Sequence, residues 1–159
     1  MGTTGNMQFY DRKKLKEVVK IHNKYREKHG SPPLNLNDTI SKIAEEVANH
    51  LINDKNYNLD DSLLIYKNQP LGVNIYINKI QKSPEDICQD WYNEINNYEY
   101  DSDKFQKNAI HFTQIVWNNT KEVGLAFTNK KGKKCCGIAL YYPAGNIFDE
   151  FKENVIKPK

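Results

Sequence analysis

The chain has 159 residues, 38% of them hydrophobic and 27% charged, with a formal net charge of +3 at pH 7. That length fits one domain with a core of its own, and a charge so near balance, without a long basic block, speaks against a nucleic-acid footprint. No apolar run approaches the roughly 18 to 20 residues of a membrane span, and the amino terminus lacks the apolar core of an export signal, although a mature form already stripped of its signal would look the same.

Residues 1–7 are expected to be a flexible segment ahead of a single domain at 8–159. Within residues 8–29, Leu15, Val18, Val19, His22 and Tyr25 recur at helical intervals, and Gly30 followed by SPP stops the helix. Asn37 or Asp38 caps a second helix, in which Ile40, Ile43, Ala44, Val47, Ala48 and Leu51 form a buried stripe. A polar, turn-rich stretch at 53–70 precedes a short strand, LGVNIYIN. Ser83, Pro84 and Asp86 supply the entry to a third helix, SPEDICQDWYNEINNY, with Ile87, Trp91, Ile95 and Tyr98 on its apolar face. Glu94 falls three residues after Trp91 and four before Tyr98, which places a carboxylate on or beside the buried stripe.

HFTQIVWNN makes a short helix with His111 and Ile115 on one face, and VGLAFTN and KCCGIALYY are strands joined by the turn NKKGK. The elements add up to an α+β domain with helices packed on an antiparallel sheet. The three cysteines are odd in number, and the adjacent Cys135 and Cys136 face opposite sides of a strand. This points to buried thiols in a reducing compartment and away from a disulfide framework or a zinc knuckle.

Two segments then become familiar. HFTQIVWNNT closely resembles the first signature of the CAP superfamily, the cysteine-rich secretory, antigen 5 and pathogenesis-related 1 proteins, and YYPAGNI resembles the second. HNKYREKHGSPPL and WYNEINNY extend the similarity over nearly the whole chain, which looks most like the Golgi-associated plant pathogenesis-related subgroup. The resemblance implies an α-β-α sandwich with a central three-stranded antiparallel sheet, and a cleft where two histidines and two glutamates gather a divalent metal. Only two of those four positions match, His111 and Glu94. Val73 stands where the glutamate of a GENL motif belongs, and LDDSLLIYKNQ has no histidine. Ile110 replaces the glycine before the signature histidine, and Ala139 replaces a cysteine of secreted relatives.

One histidine and one carboxylate fall short of the three or four ligands of a tight metal site, so no metal or other cofactor is expected beyond weak divalent binding. Catalysis by serine lacks its parts, since neither Ser62 nor Ser83 has an evident base, and His22, His29 and His50 are more simply helix residues. The expectation is a non-catalytic domain.

The amino terminus suggests a role: Gly2 fits N-myristoylation, although Asn6 departs from the motif. A single acyl chain needs a basic partner surface, which Lys13, Lys14, Lys16 and Lys20, or Lys130, Lys131, Lys133 and Lys134, can supply. The expected partners are therefore anionic or sterol-like lipid, with a homodimer implied by the resemblance, at the cytosolic face of Golgi or other membranes. The alternative is a scaffold receiving a peptide or protein partner, supported by a tyrosine-rich surface at Tyr92, Tyr98 and Tyr100.

Overall fold

The computed structural model describes residues 8–54, 56, 58–129 and 134–159. The first helix, α1 (Arg12–Lys28), begins where the Asp11 carboxylate accepts the Lys14 N–H at 3.0 Å, and the chain turns away at Gly30 with φ +73°. The helix takes up 12–28 of the stretch 8–29, because the residues before it join the sheet. Phe9 bridges Thr128, and the Tyr10 N–H donates to the Phe127 carbonyl. Asn37 caps α2 (Asp38–Asn53) through the Ile40 N–H, and the stripe from Ile40 to Leu51 is buried where the three-and-four spacing places it.

The sheet is built from β1 (Asn35–Leu36), β4 (Gly72–Asn78), β5 (Glu122–Phe127) and β6 (Cys135–Tyr142), while β2 (Ile65–Tyr66) and β3 (Gln69–Pro70) form a separate hairpin. The order is β1-β5-β6-β4. The last three are antiparallel, and β1 adds a two-residue parallel edge. Period-two alternation splits the strands between two cores. Ala126, Cys136, Ile138 and Leu140 face α2; Val123, Leu125, Phe127, Cys135, Ala139 and Tyr141 face the layer of α1, α3 (Pro84–Tyr92) and α4 (Ile110–Val116). The sheet between helical layers is the α-β-α sandwich expected.

Gly124 sets the spacing of one layer. A Cβ there would lie 2.3 Å from the Ile40 carbonyl carbon, so only glycine lets the α2 backbone rest directly on β5. The Ser41 hydroxyl uses that proximity to accept the Leu125 N–H at 3.0 Å.

Two sequence expectations are corrected. The third helix does not run to Tyr98: the α-helix ends at Tyr92, and a 3-10 segment, Asn93–Asn97, takes over. Nor is the tyrosine-rich segment an exposed surface. Tyr92 and Tyr98 are each 8% exposed, and Tyr100 is half-buried against the same core, with Tyr98 lying on Phe112 at 5.6 Å between ring centroids. These rings carry large apolar areas, and core packing claims them.

Cys88, Cys135 and Cys136 are buried and unbridged, and Cys135 and Cys136 point into opposite cores. Burial pushes the Cys88 thiol up and the Cys136 thiol up to about 12, which suppresses thiolate chemistry. Among the described residues, no helix is long and apolar enough to cross a membrane.

Candidate functional site

Helix α4 has no side-chain cap of its own, because Ala109 occupies the capping position. Glu94 supplies the missing acceptor from the 3-10 segment behind α3. Its Oε1 accepts the His111 N–H at 2.9 Å and the Phe112 N–H at 3.4 Å, while Oε2 accepts from His111 Nδ1 at 2.7 Å. A carboxylate at the positive end of a helix is favourable, and here it also fixes the imidazole tautomer by holding the proton on Nδ1. The indole of Trp91 stacks on the ring, 5.8 Å between centroids at 13°. The side chains of His111 and Glu94 remain 28% and 23% exposed. His111 Nε2 has no partner among the described residues.

The neighbouring strand does not complete a metal site. Val73 pairs with Leu140 and packs on the α2-side core. The next residue, Asn74, turns to the other face, where its Nδ2 donates to the His111 carbonyl at 3.1 Å and to the Tyr141 hydroxyl at 3.3 Å. Among the described residues, no group of three or more His, Cys, Asp or Glu could hold an ion. With the Glu94 carboxylate and His111 Nδ1 engaged, Nε2 alone remains, and the residues present do not fit the divalent metal of the family cleft. Ser62 donates to the Asp60 carboxylate at 2.6 Å and Ser83 caps α3, so neither is paired with a histidine.

The two signature segments form one hydrogen-bonded clasp. Thr113 Oγ1 donates to Asn146 Oδ1 at 2.5 Å, and Asn146 Nδ2 donates to the Ile110 carbonyl at 2.9 Å. Gln114 Oε1 accepts the Gly145 N–H at 2.9 Å, and its Nε2 reaches Thr120 Oγ1, which itself donates to the Pro143 carbonyl. Gly72 makes room: a Cβ there would lie 2.1 Å from Gln114 Oε1.

Behind the site runs a buried polar chain that helix spacing alone does not distinguish from ordinary packing. Tyr141 donates to His22 Nε2 at 2.7 Å, and His22 Nδ1 donates to the Val18 carbonyl at 3.1 Å. Burial lowers the His22 pKa to about 4, the Val18 carbonyl opposes the shift, and Arg26 adds to it. His29, also lowered by burial, joins Tyr92 to the Ile156 carbonyl. The signal for this chain lay in HNKYREKH, where His22, Arg26 and His29 recur at the spacing of the apolar stripe.

The lysines divide. Lys13, Lys16 and Lys20 are exposed on α1, and Lys24 and Lys28, not singled out by the sequence, continue the row. Lys14 instead turns aside, half-buried, to Glu85 at 2.5 Å and Glu17 at 3.6 Å. Those contacts raise its pKa, the Glu85 hydrogen bond leading. Lys134 is half-buried immediately before β6. Gly2, Lys130, Lys131 and Lys133 lie outside the described residues, as does the whole of 1–7.

A sheet between helical layers, with a signature histidine held by a helix-borne glutamate and clasped to a PAGN turn, is the arrangement of a CAP domain. The chain belongs to that family: the model described as "CAP: Cysteine-rich secretory protein family" matches residues 19–141. The human Golgi-associated plant pathogenesis-related protein 1 is 32% identical over 167 residues, covering 100% of this chain and 99% of that protein. Protein PRY2 of Saccharomyces cerevisiae is 33% identical over 87% of this chain and 40% of its own length. Among solved structures, venom allergen-like protein 4 of Schistosoma mansoni superposes with a TM-score of 0.69 at 24% identity, covering 91% of this chain and 94% of that one. The structure of NaASP2 with zinc gives 0.69 at 15% identity, over 99% of this chain and 90% of that chain.

Proposed function

We propose that the chain is a non-catalytic CAP-domain module that docks on an anionic membrane surface through the exposed face of α1. The observation that carries this reading is the row Lys13, Lys16, Lys20, Lys24 and Lys28, all exposed. At 3.6 residues per turn these five fall within about a third of the helix circumference. Four of them repeat at i, i+4, a pattern in which like charges repel and destabilise the helix. Among the described residues, no carboxylate forms an ion pair with Lys13, Lys16, Lys20 or Lys24. Glu17 and Glu27 share the arc, but Glu17 is turned toward Lys14. Each lysine near an anionic bilayer contributes about 1 kcal/mol, enough in sum for reversible attachment, which acylation at Gly2 would strengthen.

The incomplete metal tetrad supports the non-catalytic part of the reading, and the Golgi association in the name of the full-length human relative supports the site of action. A partner-binding scaffold loses its tyrosine surface to the core. Its remaining support is a groove of about 450 Å³ beside Ile147, next to the 74%-exposed Phe148.

Co-sedimentation with phosphatidylcholine vesicles, with and without phosphatidylserine, tests the reading. Binding restricted to the anionic vesicles and abolished near 1 M salt, where the screening length falls to about 3 Å, is the expected result. No binding to either vesicle would overturn it.

A further inference from the structure

The lysine row ends over a groove of about 370 Å³ between α1 and α3, a volume within the range of small-ligand sites. Its walls carry opposite charge. Lys24 and Lys28 rise from α1, Glu85 and Asp86 from the first turn of α3, and Ile21 and Tyr25 lie between them. The acidic wall is only partly neutralised from within the chain. Lys14 engages Glu85 Oε2, whereas Glu85 Oε1 is shielded from solvent with no hydrogen-bond partner, and Asp86 stands exposed with no ion pair among the described residues. Lys28 sits 5.7 Å over the Tyr92 ring, which keeps one cation at the rim.

A purely anionic ligand would meet attraction on one wall and repulsion on the other. A ligand carrying an anionic group and an ammonium a few bonds apart satisfies both.

We propose that this groove is a headgroup subsite for phosphatidylserine, whose phosphate and carboxylate meet Lys24 and Lys28 and whose ammonium meets Asp86 at the Glu85 wall. The inference rests on the membrane-surface reading above and adds headgroup selectivity to it. Electrostatic attraction alone does not discriminate between lipids of equal charge, whereas a groove with an acidic wall does.

The test compares binding to phosphatidylcholine vesicles containing equal mole fractions of phosphatidylserine or phosphatidylglycerol, which carry the same net charge, although only phosphatidylserine has the ammonium and its balancing carboxylate. A preference of about threefold or more for phosphatidylserine is expected, the scale of one exposed ion pair. Asp86→Asn should abolish the preference while leaving the fold intact, because Asp86 contributes only its backbone N–H to the α3 cap. Lys24→Ala with Lys28→Ala should weaken binding to both lipids. Equal binding of the unaltered protein to both vesicles would overturn the subsite and leave the membrane reading standing. A preference retained in Asp86→Asn would place the selectivity elsewhere and likewise overturn it. Failure to bind either vesicle would remove the membrane reading and the subsite with it.

Discussion

Glu94 and His111 are joined twice, through the imidazole Nδ1 at 2.7 Å and the backbone N–H at 2.9 Å, so that one carboxylate orients the ring and caps the helix that carries it. That dual role gives the pair a structural use that needs no metal, since the carboxylate serves as the cap that α4 otherwise lacks. Glu94→Ala should destabilise the domain by about 1 to 2 kcal/mol, the scale of a lost cap, and lower Tm by several degrees. Glu94→Gln, which keeps an acceptor, should lose less. In the unaltered protein, added zinc should leave Tm unchanged, because a ligand raises Tm only when it binds the folded state. A zinc-dependent rise seen by calorimetry would refute the structural reading of the pair.

Acid should destabilise the domain in a defined window. His22 has an ordinary pKa of 6.5 when unfolded and about 4 when buried beside Tyr141, so the unfolded chain takes up the proton first as the pH falls. Stability is therefore full above about 6.5 and is lost progressively down to about 4, by roughly 3 kcal/mol if His22 acts alone. His29, lowered in the same direction, adds to the loss. Urea midpoints should hold level from pH 7.5 to about 6.5 and fall from there to 4.5. A flat profile would contradict the buried, neutral assignment.

Much of this architecture was legible in the sequence, because α2 buries one face and shows the helical period, while β5 and β6, buried on both faces between the helical layers, read as short, nearly continuous apolar runs. The hairpin at 65–70 was not. Its turn residues, Lys67 and Asn68, both adopt positive φ, 52° and 61°, without the glycine that marks such turns. β1 has only two residues and owes its existence to β5. Helix spacing singles out Glu94 as a carboxylate beside the buried stripe, but the use of that carboxylate lies in α4, seventeen residues away, where no local pattern points. The exposed-tyrosine expectation failed because Tyr92 and Tyr98 both pack their rings on Phe112 of α4, a contact between separate segments that no local pattern shows. Lys24 and Lys28 are hard to read as part of a basic face because they stand singly among residues that α1 buries, away from the lysine cluster at its start.

The clasp between the two signatures should behave as a coupled unit. Gly72→Ala forces a methyl group into Gln114 Oε1, and Gln114 cannot simply swing away while it holds Gly145 and Thr120. Overpacking of this kind typically costs about 1 to 3 kcal/mol. Gln114→Ala loses the clasp but removes the obstruction, so the double variant should be less destabilised than the sum of the singles. A thermodynamic cycle from denaturant unfolding checks this, and strict additivity would mean the two positions do not meet.

Arg26 presents the most severe test of the interior. Its guanidinium is fully buried without a carboxylate partner, and its charge is instead met by four backbone carbonyls: Pro32 at 2.7 Å, Ile115 at 2.9 Å, Trp117 at 2.8 Å and Thr120 at 2.9 Å. Ile115 and Trp117 lie at the carboxyl end of α4, where the helix dipole favours a cation, so a residue of α1 terminates α4 just as Glu94 begins it. Burial still lowers the Arg26 pKa to about 10, with the nearby Tyr141 acting in the opposite direction. Arg26→Met keeps much of the volume but strands four acceptors in the core, and should destabilise by about 3 kcal/mol or more. Arg26→Lys retains the charge on a single nitrogen that cannot span all four carbonyls, and should fall between the two. If urea midpoints showed Arg26→Met as stable as the unaltered chain, the carbonyls would have to be satisfied by water, and the direct coupling of α1 to the signature helix would be lost.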